Sequence, residues 1–294
     1  MSHGARQKLY LDTSALNFLR NEYIVKERSS YIITQRYDVL VSLCLLAEIL
    51  SSDKDLSQRL ARCLWKMTDH RILIPCEELI FAEVRNALGL DSELDYFHIQ
   101  KRALEDWKAV SMGAVSPTAH DDFRAYWQGI KRGHKVYMKA VAASQEEMIA
   151  PFLSSQGTDG MMQNWPRELA AQITNRHVQA TIYNCMDLFC TNNPARFPRS
   201  HLPERELVLG VDYRLIPCTA TSCEYNTTLT YCVLCKLFGP DKGDSEDMKH
   251  AFYAGFADVF VTRDDRMFMI LNDMVISKKA RIVRAEDFVA SVRN

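Results

Sequence analysis

The chain lacks an excess of charge of either sign. Its 36 Lys and Arg are balanced by 37 Asp and Glu, a net charge of -1. No global basic field therefore announces nucleic acid, and any such contact has to come from a local patch. It also lacks an apolar run approaching the ~18 residues that a membrane-spanning helix requires. Met1-Ser2-His3-Gly4-Ala5-Arg6 holds no apolar segment of a secretory leader, so a cytoplasmic protein is expected. The nine cysteines are odd in number and scattered, which in a reducing compartment suits small core residues better than a disulfide framework. GxxxxGK[ST], GxGxxG, GxSxG and HExxH are all missing, which disfavours P-loop NTPase, dinucleotide-binding, hydrolase and zincin chemistry. There is no repeat of fixed period. What remains is an ordinary globular composition in 294 residues, long enough for one large or two modest domains.

The stretch that organises the chain is Lys8-Leu9-Tyr10-Leu11-Asp12-Thr13-Ser14-Ala15-Leu16. A short run of β-formers closes on a carboxylate and passes into a small polar turn, with Thr13 or Ser14 placed to cap a helix. In an open α/β sheet this delivers Asp12 to the carboxyl edge, where ligands bind. The alternative is an Asp that caps a helix and does nothing else. Helix is predicted over 14–37 and a buried strand over 39–41. Ser42 is the expected cap of a further helix that carries Glu48 among Leu45, Leu46, Ile49 and Leu50. A carboxylate in such an apolar run is unfavourable unless paired, metal-bound or aimed into a site. Another helix is predicted over 56–67, a strand over 71–75 and a helix over 76–88. In the last, Glu77, Glu78 and Glu83 suit the first turn and a solvated face, with Glu83 as a reserve ligand.

Residues 91–237 differ in character. Helical spacing prevails over 101–110, 119–143, 146–153 and 165–187, with an irregular Pro-containing crossing over 191–206. The organisation expected is therefore an α/β core formed by 1–90 and 238–294, with a large, mainly helical insertion at 91–237. Lys131, Arg132 and Lys135, beside Trp127 and Tyr137, are candidate nucleic-acid contacts, since cations with aromatics can hold phosphate and stack a base. The competing reading is a solvated helix face. Cys218, Cys223, Cys232 and Cys235 include a CxxC pair with zinc-ligand spacing, though Tyr231, Val233 and Leu234 around it look like an apolar helix.

After the insertion, a turn-rich acidic segment ends on Asp247 and opens a helix over 248–256. A strand follows over 257–262, ending on Thr262 and Asp264. A short helix over 266–271, a strand over 280–284 and a closing helix over 285–291 complete the chain. This alternation predicts a parallel sheet covered on both faces. Asp12, Glu48, Asp247 and Asp264 each sit at a strand end or in the opening turns of a helix, positions that converge on one edge. Four such carboxylates repel one another and need cations, and an all-oxygen set suits Mg2+ or Mn2+. The matching chemistry is metal-assisted phosphodiester hydrolysis.

Four segments, in this order, resemble the acidic motifs of PIN-domain nucleases: Leu9-Tyr10-Leu11-Asp12-Thr13-Ser14, the Leu46-Ala47-Glu48-Ile49-Leu50 helix, Asp247-Met248-Lys249-His250-Ala251, and Val261-Thr262-Arg263-Asp264. The resemblance covers about 5–90 and 238–294 and leaves the insertion aside. It implies a three-layer α/β/α fold with a small parallel sheet and a metal-dependent endoribonuclease. Asp12, Asp247 and Asp264 would be Mg2+ or Mn2+ ligands, with Glu48 a ligand or the group that orients the attacking water. Thr262 would support the Asp264 carboxylate. Asp265 is the acid most easily confused with Asp264, whereas Asp258 reads as structural. RNA is the implied substrate, with DNA as the other class, and an antitoxin-like partner or a homodimer is compatible with the family. The insertion before Asp247 is far longer than in the common small members. Two other readings stand beside this one. The first is a PIN-like binding or regulatory module without catalysis. The second is a phosphatase similar to haloacid dehalogenases, with Asp12 as nucleophile, although Ser14 stands where that family has a second Asp.

Overall fold

The computed structural model describes residues 6–24, 30–91, 94–98, 101–114, 167–234 and 244–293. β1 (Gln7–Leu11) leads into α1 (Thr13–Leu19), which loosens into a π-helical turn (Arg20–Ile24). α2 (Ser30–Arg36), β2 (Tyr37–Ser42), α3 (Leu43–Ser51), α4 (Lys54–Met67), β3 (Ile72–Leu73) and α5 (Cys76–Ala87) follow. Next come β4 (Phe97–His98), α6 (Lys101–Ser111), α7 (Arg167–Asn192), α8 (Arg205–Leu209) and α9 (Pro217–Leu234). The chain closes with α10 (Asp244–Ala254), β5 (Val259–Thr262), α11 (Asp265–Met269), β6 (Arg281–Arg284) and α12 (Ala285–Arg293).

The sheet runs β4-β3-β2-β1-β5-β6, with five parallel strands and the two-residue β4 antiparallel at one edge. This is the three-layer α/β/α architecture expected from the alternation of elements. Alternate side chains of each strand enter opposite layers. Leu9, Leu11, Val39, Val41, Ile72, Val259 and Val261 pack with α1, α3, α4, α6 and α12. Tyr10, Leu40, Leu73, Phe260 and Ile282 face the other way, against α5, α7, α9 and α10. Burial on both faces is why the strands read as unbroken apolar runs rather than alternating ones.

The boundaries depart from expectation where local chemistry intervenes. The helix predicted over 14–37 is divided into α1, the π-helical turn and α2. β2 is longer than 39–41, and the strand at 71–75 keeps only Ile72 and Leu73, with Pro75 standing at the N-cap of α5. Helix α7 takes up the 165–187 prediction from Arg167, the first residue described there, and extends to Asn192. The helices expected over 119–143 and 146–153 lie outside the described residues. Within 167–234, Ile182, Met186, Val208, Tyr225 and Leu229 are buried in the same apolar cluster as Tyr10 and Phe260.

One glycine holds this layer together. A Cβ on Gly255 would lie 2.4 Å from the Pro217 carbonyl oxygen and 2.6 Å from Cys218 Cα. Only a residue without a side chain lets the end of α10 meet the start of α9 this closely.

Candidate functional site

The chain order explains where a site can form. From β1 the sheet grows outward through β2 and β3, then the chain returns to the other side of β1 to add β5 and β6. Strand order therefore reverses between β1 and β5, and the crevice beyond their carboxyl ends is the place where such sheets bind ligands. Asp12 follows β1 and Asp264 follows β5, so the two flank that point.

Each of these aspartates caps the helix after its strand. Asp12 Oδ1 accepts the Ala15 N–H at 2.7 Å and the Ser14 hydroxyl at 2.8 Å. Asp264 Oδ1 accepts the Met267 N–H at 2.7 Å. The cap of α1 is thus Asp12 itself, not Thr13 or Ser14. Thr262 corrects a second expectation. Its hydroxyl donates to Asp12 Oδ2 at 2.5 Å and accepts the Asp264 N–H at 2.9 Å, so it steadies the Asp12 carboxylate and the Asp264 backbone rather than the Asp264 carboxylate. Ser14 Oγ also accepts the Arg263 N–H at 3.0 Å, which ties the two strand ends together.

Asp247, near the start of α10, completes the acidic edge. It stands 3.7 Å from Arg266 Nη2. Burial, joined by the Asp264 and Asp12 carboxylates and opposed by His250 and Arg266, pushes its pKa up to about 8. Asp12 is also raised, chiefly by burial, while His250, Thr262, Ala15 and Ser14 pull it down. Asp247 therefore feels carboxylates that two other elements deliver. Glu48 reaches the same region from α3, where its Oε2 receives the Thr13 hydroxyl and lies 3.0 Å from His250 Nε2.

His250 is the residue that sequence reading passed over. It lies one turn beyond Asp247 on α10, is 2% exposed, and its Nδ1 is 2.7 Å from the Tyr10 hydroxyl. Tyr10 in turn is 2.7 Å from Ser42 Oγ, the cap of α3. Burial works against a charge on His250, but Tyr10, Cys44 and Glu48 hold its imidazole well above the ordinary histidine value. The signal was present in the sequence. Three residues past a candidate ligand is the same helix face, and His250 is the titratable side chain that stands there, just before Ala251 and Phe252.

Other candidates separate from this edge. Asp265 is exposed and ion-paired with Arg284. Asp258 lies at the opposite edge, where it accepts the Lys8 N–H at 2.8 Å and pairs with Lys279 at 2.8 Å. Glu83 is neither solvated nor a reserve ligand. It is wholly buried and accepts the N–H groups of Cys218 at 3.0 Å and Thr219 at 2.8 Å, at the N-terminus of α9. Cys218 and Cys232 share one helix at fourteen positions' separation, about 21 Å at 1.5 Å per residue, so they cannot hold one zinc ion. Cys235, Lys131, Arg132 and Lys135 lie outside the described residues.

The donors at the acidic edge are all hard oxygens, the chemistry that Mg2+ and Mn2+ select. Among the described residues no group of three or more acidic, histidine or cysteine side chains stands close enough together to hold a metal ion. Mg2+ does not require such a group, since one or two carboxylates commonly hold it, with water and substrate phosphate completing its shell. Burial and the neighbouring carboxylates raise Asp247, and the part of that strain due to like charge is of the kind a divalent cation relieves.

This crowding has a measurable consequence in the metal-free protein. Between the ordinary carboxylate value of 3.8 and about 8, folded Asp247 keeps a proton that the unfolded chain has released. Stability from this group therefore falls as pH rises across that window, and above it the full penalty stands. Asp247→Asn cannot ionise. Denaturant melts in EDTA should find it ~1–3 kcal/mol more stable than wild type at pH 8.5, with the difference vanishing near pH 4. A constant difference across pH would show that Asp247 is not crowded.

Among the described residues no helix is long and apolar enough to cross a membrane. No family model, curated protein or solved structure matches the chain.

Proposed function

We propose that the chain is an endoribonuclease that hydrolyses RNA phosphodiester bonds with Mg2+ or Mn2+ held at the acidic edge. One observation carries the reading: Asp12, Asp247 and Asp264 arrive from separate elements at the strand-order reversal, where burial, with the other two carboxylates adding to it, pushes Asp247 up to about 8. The resemblance of the four surrounding segments to PIN-domain motifs supports it. A bound divalent ion would lower the pKa of its water, polarise the phosphoryl group and stabilise the leaving oxygen.

The chain's own residues prepare that chemistry. Asp12, Asp247 and Asp264 would hold the ion, and Glu48 would bind it or accept a hydrogen bond from the attacking water. Thr262 holds Asp12 Oδ2, and the Ala15 and Ser14 donors hold Oδ1, so that carboxylate is oriented before any ion arrives. Arg266, beside Asp247, offsets part of the negative charge that would otherwise repel a phosphate.

The test is cleavage of end-labelled single-stranded RNA with Mg2+ or Mn2+. Cleavage is expected with either ion, is abolished by EDTA and returns when the ion is restored. Cleavage that survives EDTA, or none with either ion, would overturn the proposal. A phosphorylated Asp12 trapped from a phosphomonoester substrate would instead favour the phosphatase reading.

A further inference from the structure

The polar chain behind Glu48 has a purpose that helix capping and core packing do not explain. Tyr10 is stacked between Tyr253 and Phe260, with ring centroids 5.1 Å and 5.3 Å away, so its hydroxyl is fixed in place. That hydroxyl lies 2.7 Å from Ser42 Oγ and 2.7 Å from His250 Nδ1. Ser42 Oγ is itself fixed, since it accepts the Leu45 N–H at 3.0 Å. The other imidazole nitrogen, Nε2, lies 3.0 Å from Glu48 Oε2. A carboxylate only accepts, so the Nε2 proton must point at Glu48 whichever way Nδ1 is protonated. Thr13 donates to the same oxygen from the turn after Asp12. Two donors on different elements therefore grip one oxygen of one carboxylate. His250 is 2% exposed, and its ring shares a helix face with Asp247.

We propose that His250 is a positioning residue for Glu48. It locks the carboxylate in one orientation against the turn that follows Asp12, where Thr13 donates to it, and Tyr10 and Ser42 lock His250. The arrangement matches the way buried partners orient groups at metal sites, where their loss typically lowers affinity or activity about 10–100-fold. The inference rests on the nuclease reading, because only there does the orientation of Glu48 matter.

The test pairs RNA cleavage with Mn2+ binding followed by electron paramagnetic resonance, in wild type, His250→Gln, Tyr10→Phe, Glu48→Gln and the double variant Glu48→Gln/His250→Gln. Thermal melts establish that each is folded. His250→Gln should lower kcat ~10–100-fold and weaken Mn2+ comparably, with KM for RNA within about twofold. Tyr10→Phe, which keeps the stacked ring, should move both in the same direction by less. In the Glu48→Gln background, His250→Gln should have no further effect on either quantity, because both changes disable one unit. A structural role alone would give additive losses. Additivity, or unchanged kcat and Mn2+ affinity in folded His250→Gln, overturns the proposal. If His250→Gln does not fold, Tyr10→Phe decides, and wild-type values there overturn it. Wild-type cleavage with no effect of these variants counts against the positioning role alone. Wild type that neither cleaves RNA nor binds Mn2+ removes the nuclease reading and the positioning role together.

Discussion

Asp12→Asn should lower RNA cleavage at saturating Mg2+ by at least ~100-fold while changing unfolding free energy by less than about 1 kcal/mol. The two expectations come from different properties of one side chain. As a helix cap, Asn serves about as well as Asp. Its Oδ1 can keep the Ala15 N–H and Ser14 hydroxyl bonds, and its amide can donate to Thr262 Oγ1, which now donates to the carboxylate. As a ligand, the amide is neutral. Removing one negative donor from a divalent ion forfeits several kcal/mol of transition-state stabilisation, and each 1.36 kcal/mol is about tenfold in rate. Single-turnover cleavage and urea unfolding, measured on the same preparation, separate the two. Equal loss of stability and activity would make Asp12 a cap and nothing more, and an active Asp12→Asn would remove it from the chemistry.

The largest effect on stability is expected at the opposite edge. Glu83→Ala should destabilise the protein by about 3–5 kcal/mol, since each buried polar group left without a partner costs about 1–3 kcal/mol. Two fully buried groups of this kind are created, the N–H of Cys218 and that of Thr219, and the half-buried Tyr96 hydroxyl loses its longer 3.4 Å bond as well. Burial raises the pKa of Glu83, while these N–H groups pull it down. Its place at the start of α9 is where a helix favours an anion. A loss of this size is a large part of the 5–15 kcal/mol of an ordinary domain. Glu83→Gln keeps one acceptor but turns a donor toward a donor, and should fall between wild type and Ala. Because Glu83 lies where α9 meets the end of α10, away from Asp247, the folded fraction of either variant should cleave RNA at the wild-type rate. A Glu83→Ala protein within about 1 kcal/mol of wild type in urea unfolding would show that the capping is dispensable.

What could be read from the sequence follows from what each feature depends on. The parallel sheet is legible because 8–12 and 257–262 are apolar runs closed by polar turns, a local pattern. Asp12, Asp247 and Asp264 can be singled out for the same reason, since each stands where a strand or turn passes into a helix, and Glu48 because it is a carboxylate within an apolar helical run. The role of Thr262 is harder to read, because its acceptor, Asp12, is 250 residues away along the chain. Glu83 misleads for a related reason. The first-turn acids Glu77 and Glu78 beside it suggest a solvated face, and nothing within α5 reveals that the start of α9 arrives to use its carboxylate. The Tyr10–His250–Glu48 chain joins three elements that only the crossover between β1 and β5 brings together. The cysteines of α9 mislead because spacing suggests a cluster, whereas a continuous helix spreads them along its axis.

The central claim is that the acidic edge holds a divalent cation, and Mn2+ titration followed by electron paramagnetic resonance tests it most directly. Wild type should deplete the free Mn2+ signal by at least one equivalent per chain at pH 8. Asp12→Asn and Asp247→Asn should each weaken binding at least ~10-fold. A wild-type chain that leaves the free signal unchanged, or variants that bind as wild type does, would contradict the account.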